Sequence, residues 1–266
     1  MSSPKVFDNL TPFDDSKSRD EVMLIEYDNV LVNTNYCILR HLRSNIDKYK
    51  EDVKDGELLE AVTNNTSKHD LYEYGKILTH NECMRLLFKN PKGEAASKIL
   101  KETNYNLHDY SYFLANGMIK LIESIKIKRI FIAISHFNNS TQTDSILTIF
   151  NGAKSIDKLS ILDIGPYECM KKTLGYTTIF LSDVEDLLLI SKNKKFKFND
   201  VQFILMDKIS NKDFRDVEFE SPNDPNEKAI FPIPVNDYKY TKELALFQEK
   251  NNSKIITMDQ YYSEFY

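Results

Sequence analysis

Two carboxylates two residues apart, Glu26 and Asp28, close the apolar run in "VMLIEYDNVLVNT" (residues 22–34). A pair of this kind at a strand end suits metal-assisted phosphoryl transfer. Both can ligate a hard divalent cation such as magnesium. The same two residues also suit a polar turn that only ends a central strand, so the pair poses a choice between chemistry and structure. His136, after "IFIAIS", has the right type for a general acid or base, but no partner stands at a matching spacing.

Other devices are excluded by composition. The 266 residues contain seven glycines, with no GxGxxG and no GxxxxGK[ST], so phosphate binding through a glycine-rich loop is ruled out. A net charge of -5 argues against nucleic-acid binding by broad electrostatics. The lysines of "SKNKKFKF" (Lys192, Lys194, Lys195, Lys197) read as a solvated loop. Cys37, Cys83 and Cys169 are far apart and odd in number, and the histidines form no HxxxH or HExxH pair. This excludes a zinc motif or a disulfide framework and suits reduced cytoplasmic thiols. No apolar run reaches the roughly 18 residues that would span a bilayer, so no membrane partner is expected. The heavy use of Asn, Lys, Ile and Tyr without a single Trp is that of an AT-rich genome such as a phage's or a low-GC bacterium's, and the first adds the virion as a second location.

The elements that must position the two carboxylates follow from periodicity. "EVMLIEY" is short and apolar enough for a buried strand, and "KRIFIAISHF", "KLSILDI", "TTIFLSD" and "DVQFILMD" read likewise. Between them "NGMIKLIESIK", "TQTDSILTIFNGA", "PYECMKKTLGY" and "VEDLLLISKN" carry helical spacing. Strands alternating with helices predict an α/β fold with a parallel, Rossmannoid sheet. Residues 1–20 read as an irregular arm, and residues 21–34 with 111–215 as the core. Residues 35–110, with helical patterns such as "NYCILRHLRSNIDKYK", read as a mostly helical cap insert. Residues 216–266 read as a C-terminal extension that begins with a proline-rich, turn-filled connection. It includes a helix, "YTKELALFQEKNN", and ends in "DQYYSEFY", an aromatic segment suited to docking on a protein partner or a second copy.

In order and spacing, "LIEYDNVL", the helical insert, "IFIAIS", "DIGPYECMKKTLGY" and "FLSDVED" resemble the haloacid dehalogenase-like family of magnesium-dependent phosphohydrolases over about residues 20–207. The resemblance implies a nucleophile at Glu26, an acid/base at Asp28 and a phosphate-holding hydroxyl at Ser135. It implies magnesium ligands at Glu26, Asp28, Asp183 and Asp186. Read without it, Ser135 is a turn residue, Asp183 caps the following helix, and Asp186 suits that helix's positive end. Three positions depart from the family pattern: Glu26 for the usual Asp, Val30 for a small hydroxyl residue, and Gly165-Pro166 for Lys-Pro. Lys154, Lys158, Lys171 or Lys172 could replace the missing ammonium from nearby. The expectation is a catalytically degenerate member serving as a binding or assembly subunit. The alternative is a magnesium-dependent hydrolase of nucleotides or other small phosphomonoesters.

Overall fold

A computed structural model describes residues 5–6, 21–64, 71–72, 74–75, 78–103, 127–134, 139–151, 156–172, 175–182, 185–193, 197–206, 214–220, 228–234 and 238–257. Its centre is a seven-stranded sheet in the order β1-β4-β3-β2-β5-β6-β9, with every neighbouring pair parallel. The strands are β1 (Lys5–Val6), β2 (Glu21–Glu26), β3 (Ile127–Ala133), β4 (Leu159–Leu162), β5 (Thr178–Leu181), β6 (Gln202–Leu205) and β9 (Lys254–Thr257). The run "EVMLIE" lies in the middle of the sheet, paired with β3 on one side and β5 on the other. The fold is α/β with a parallel Rossmann-type sheet, as the alternation of strands and helices predicts.

Why the strands read as unbroken apolar runs is plain from the packing. Alternate residues point to opposite faces of a sheet, and here both faces are covered. Met23, Ile25, Ile130, Ile132, Ile161, Phe180 and Ile204 pack on one face, under Ile146 and Phe150 of α6 (Asn139–Ile149) or its end. Val22, Leu24, Phe131, Leu162, Ile179 and Phe203 pack on the other. That second face lies beneath α7 (Pro166–Lys172), α8 (Glu185–Ser191) and α9 (Tyr238–Asn251), through Met170, Leu187 and Phe247. Buried on two sides, a parallel strand has no polar face to show.

Between β2 and β3 the described helices are α1 (Thr34–Ser44), α2 (Ile46–Tyr49), α3 (Glu57–Thr63), α4 (His80–Leu87) and α5 (Glu94–Glu102). They share a separate apolar cluster built on Leu39, Leu42, Val62, Cys83, Leu87 and Ile99. Two of the helix ends are tied down by side chains. Thr79 and Glu82 form a reciprocal capping box at the start of α4. Arg43 donates from Nε to Val62 O (2.8 Å) and from Nη2 to Ala61 O (3.0 Å), satisfying carbonyls at the end of α3. The sequence-predicted helix in "NGMIKLIESIK" lies outside the described residues.

One knot of charge joins α1, α2 and α5. Glu102 accepts from Lys48 Nζ (2.6 Å) and Tyr49 OH (2.8 Å), with His41 Nε2 at 3.8 Å. The hydrogen bonds from Lys48 and then Tyr49 hold the Glu102 carboxyl down at about 2. Burial pushes His41 below its ordinary 6.5, against the raising effect of Glu102. Both groups therefore take up protons more readily in the unfolded chain, so acid favours unfolding. Stability is expected to fall as pH drops below the ordinary range of His41, and again from 4.5 towards 2 as Glu102 protonates. Thermal melts across this range check it, and Glu102→Gln should flatten the second fall and, by removing the charge that holds His41 up, deepen the first.

Residues 216–266, read from sequence as an appended extension, supply part of the core. The proline-rich stretch is a two-stranded antiparallel ladder, β7 (Phe214–Glu220) with β8 (Lys228–Pro234), separate from the main sheet. Pro232 and Pro234 stand two residues apart, so they share the ladder phase whose N–H points away from the partner, where proline costs no bond. The chain then returns to the core. α9 covers one face, and β9 pairs with β6 as the edge strand, Ile204 opposite Ile256. The supposedly irregular arm likewise contributes Lys5–Val6 to the opposite edge. "DQYYSEFY" lies outside the described residues. Among the described residues no helix is long and apolar enough to cross a membrane.

Candidate functional site

Because β3, β2 and β5 are parallel neighbours, their carboxyl ends lie together on one edge of the sheet, with Glu26 in register with Ala133 and Ile25 with Phe180. The chain leaves β2 towards β3 on one side and leaves β5 towards β6 on the other. The gap between β2 and β5 is thus the point where successive connections diverge, and such a point opens a crevice in sheets of this kind. Glu26 is the last residue of β2 and stands at that gap.

Glu26 is half-buried, and its Oε2 accepts the backbone N–H of Ser182, just beyond β5, at 2.6 Å. An amide donor to a carboxylate is a charge-assisted bond. It ties the two strand ends across the crevice, between residues 156 apart in the chain. An aspartate would fall short by about 1 Å, one carbon–carbon step. The glutamate that breaks the family pattern is thus the residue with the reach to make this bridge.

Past Glu26 the backbone turns sharply. Tyr27 N donates to Ala133 O (2.9 Å), Leu31 N and Val32 N both reach Tyr27 O, and Asn29 N donates to Val32 O (2.8 Å). The tightness of the turn puts Asn29 at φ 58°, the left-handed region that asparagine tolerates better than most residues. Tyr27 is buried, its hydroxyl 2.6 Å from Ser145 Oγ in α6. Ser145 Oγ also lies within donating distance of Gln142 O (2.9 Å). Val30, at the position of the usual hydroxyl residue, is fully buried in the core.

Asp28 projects from this turn, half-buried, and its Oδ1 accepts from Thr34 Oγ1 (2.8 Å) in the first turn of α1. One turn further along, Cys37 is buried, and burial pushes its thiol up to about 12. The charges of Arg40 and Asp28 both act on it, with opposite sign. All three cysteines are free and buried, and Cys169 is likewise raised to about 12 by burial. Thiolate chemistry at neutral pH is therefore disfavoured at Cys37 and Cys169.

The other predicted site residues fall out differently. Ser135 and His136 directly follow Ile134 and lie outside the described residues, as does Asp183 after Ser182. Asp186 sits at the start of α8, half-buried, where its charge acts on Cys169 of α7. Among the described residues no three His, Cys, Asp or Glu side chains gather to hold a metal ion, so Asp186 does not join Glu26 and Asp28 in such a group. The donor set of Glu26 and Asp28 has the hard-oxygen chemistry that magnesium prefers, with one oxygen of each already accepting a hydrogen bond.

The lysines considered as stand-ins for a missing ammonium are engaged elsewhere or outside the described residues. Lys158 Nζ donates to Ile127 O (2.6 Å), at the first residue of β3 and so at the opposite edge of the sheet. Lys171 pairs with Glu168 (2.6 Å) and lies over the Tyr167 ring. Lys172 is exposed at the far end of α7, and Lys154 lies outside the described residues. At Gly165 an added Cβ would meet nothing within 4 Å, so packing does not explain the absence of a side chain there.

Three residues of this region carried no weight in the sequence reading: Asn29, Asn33 and Asn35, all fully buried around the start of α1. Their signal is the spacing of asparagines through the apolar stretch "DNVLVNTN", where buried amides must find partners.

No family model matches the chain, and no curated protein matches it. Among solved structures it is similar to the magnesium-bound HAD-hydrolase YfnB of Bacillus subtilis, with 14% identity over 85% of this chain and 99% of that one, at a TM-score of 0.32. So loose a likeness transfers no residue and no activity.

Proposed function

We propose that this chain is a haloacid dehalogenase-like scaffold whose strand-end carboxylates have become structural, and that it serves as a binding or assembly subunit. The observation that carries this reading is the 2.6 Å bond from Ser182 N to Glu26 Oε2. A nucleophile must present its oxygen to phosphorus, and here that carboxylate braces β2 against β5. The engagement of Lys158 and Lys171 away from the strand ends supports the same reading, since a transferred phosphoryl group needs a cation beside it. A partner would be met through the aromatic segment 258–266.

A second reading is favoured by the paired carboxylates themselves, which stand at the crevice where a ligand of this fold would sit. In it the chain is a magnesium-dependent phosphomonoester hydrolase. Glu26, Asp28 and Asp183 would hold magnesium, which would neutralise phosphate charge. Asp28 would exchange the proton at its carboxylate, Thr34 would orient it, and Ser135 would hold the phosphoryl oxygens.

Hydrolysis of an aryl phosphate and of a panel of nucleoside monophosphates, assayed with magnesium in the wild type and in Asp28→Asn, separates the two. No turnover above buffer is expected from either protein. Magnesium-dependent turnover in the wild type that vanishes in Asp28→Asn would establish the second reading and dismiss the first.

A further inference from the structure

We infer that the helical insert is bolted to the strand-end turn by a buried asparagine cluster, so that insert root and sheet open together and the insert does not swing as a lid. Asn29 and Asn35 are paired side by side. Asn29 Oδ1 accepts from Asn35 N (3.2 Å), and Asn29 Nδ2 donates to Asn35 Oδ1 (3.4 Å). Asn35 Nδ2 then donates to two carbonyls of the insert, Leu78 O (2.7 Å) and Gly75 O (3.2 Å). Asn33 works in parallel. Its Oδ1 caps α1 by accepting from Tyr36 N (3.1 Å), and its Nδ2 donates to Tyr72 O (3.0 Å). One side of this cluster is the turn that ends β2, and the other is the insert's own backbone.

All three asparagines are fully buried, and Thr34 beside them is 1% exposed. Parting the insert from the turn would break all of these buried bonds together. The fit is close enough that Gly75 has no room for a side chain: a Cβ there would lie 2.6 Å from both Asn33 Oδ1 and Tyr36 N. A hinge needs a few residues free to change backbone angles. Here residues 27–36 are held by Tyr27, Asn29 and Thr34 on the core side and by Asn33 and Asn35 on the insert side. The inference is independent of whether any ester is hydrolysed at the strand ends.

Hydrogen exchange on the full chain, resolved to single amides, tests it. The amides of Asn35, Tyr36 and Cys37 are expected to show protection factors within about tenfold of those of Leu24 and Ile132, as for one cooperative unit. Root amides exchanging more than tenfold faster than the strands would mean that the insert opens alone, and would overturn the proposal. In Asn35→Ala, or in Asn35→Asp should the alanine variant not fold, root protection should fall at least tenfold. An unchanged value would show that the asparagines are not the fastening.

Discussion

Deleting residues 238–266 is expected to leave a chain that no longer melts cooperatively, whereas deleting only 258–266 should leave the transition in place. The first deletion removes Leu244 and Phe247 from one face of the sheet and Ile256 from the other, each buried. Burying such a side chain is worth about 1.5–3 kcal/mol. A domain's whole margin is about 5–15 kcal/mol, and the loss does not end with those three. Phe247 is the third ring of a group with Phe198 and Phe203, its centroid 6.1 Å and 5.5 Å from theirs. Asn251, also buried, accepts from Phe198 N (2.9 Å) and donates to Phe247 O (2.7 Å), while Gln248 Oε1 accepts from Ile255 N (2.7 Å). These bonds lock the end of α9 to the chain leading into β6 and to β9. Without them the core strand β6 becomes an unprotected edge, which invites aggregation. Thermal melts followed by circular dichroism decide the matter. A cooperative transition within a few degrees of wild type in the longer deletion would show that α9 and β9 are dispensable.

Gly75→Ala is expected to cost about 1–3 kcal/mol, the usual range for overpacking a well-filled interior. The added methyl would lie 2.6 Å from a backbone nitrogen and 2.9 Å from the Cα of Tyr36. Neither can rotate away as a flexible side chain would. Relief requires parting Gly75 from the first turn of α1, which also stretches the Asn35 Nδ2 to Gly75 O bond. Gly165→Ala is the natural control, because its new Cβ meets nothing within 4 Å, and it should stay within about 0.5 kcal/mol of wild type. Urea denaturation of the two variants measures both effects. Equal midpoints would mean that the insert yields at Gly75 without cost.

Much of this architecture is legible in the chain because its strands are buried on both faces. "VMLI", "IFIA" and "TIFL" need no alternation, and local apolarity alone marks them. β9 escaped that reading because it is four residues long and apolar only at Ile255 and Ile256, in a stretch that also reads as a tail. β7 and β8 escaped because prolines usually mark turns, and only the phase of the ladder reveals that these two are harmless. The position of Glu26 and Asp28 at a strand end was legible from their spacing. What Glu26 does there was not, since its partner is a backbone amide 156 residues away and main-chain donors leave no trace in residue type. The asparagine cluster was hidden for a related reason. Asparagine in a run of turn-forming residues reads as solvated loop, and only the carbonyls of Tyr72, Gly75 and Leu78 turn it into an interior joint.

The placement of β2 at the middle of the sheet has a bearing on how the molecule comes into being. The ribosome delivers this strand before either neighbour, so it cannot be flanked until β3 and then β5 have been made, and the sheet gains its edge beside β6 only once Ile255 and Ile256 have followed. Contacts so distant along the chain are slow to find. A ribbon as greasy as Val22–Ile25 therefore waits unclothed until those strands follow, and the insert, with an apolar cluster of its own, is able to settle while it waits.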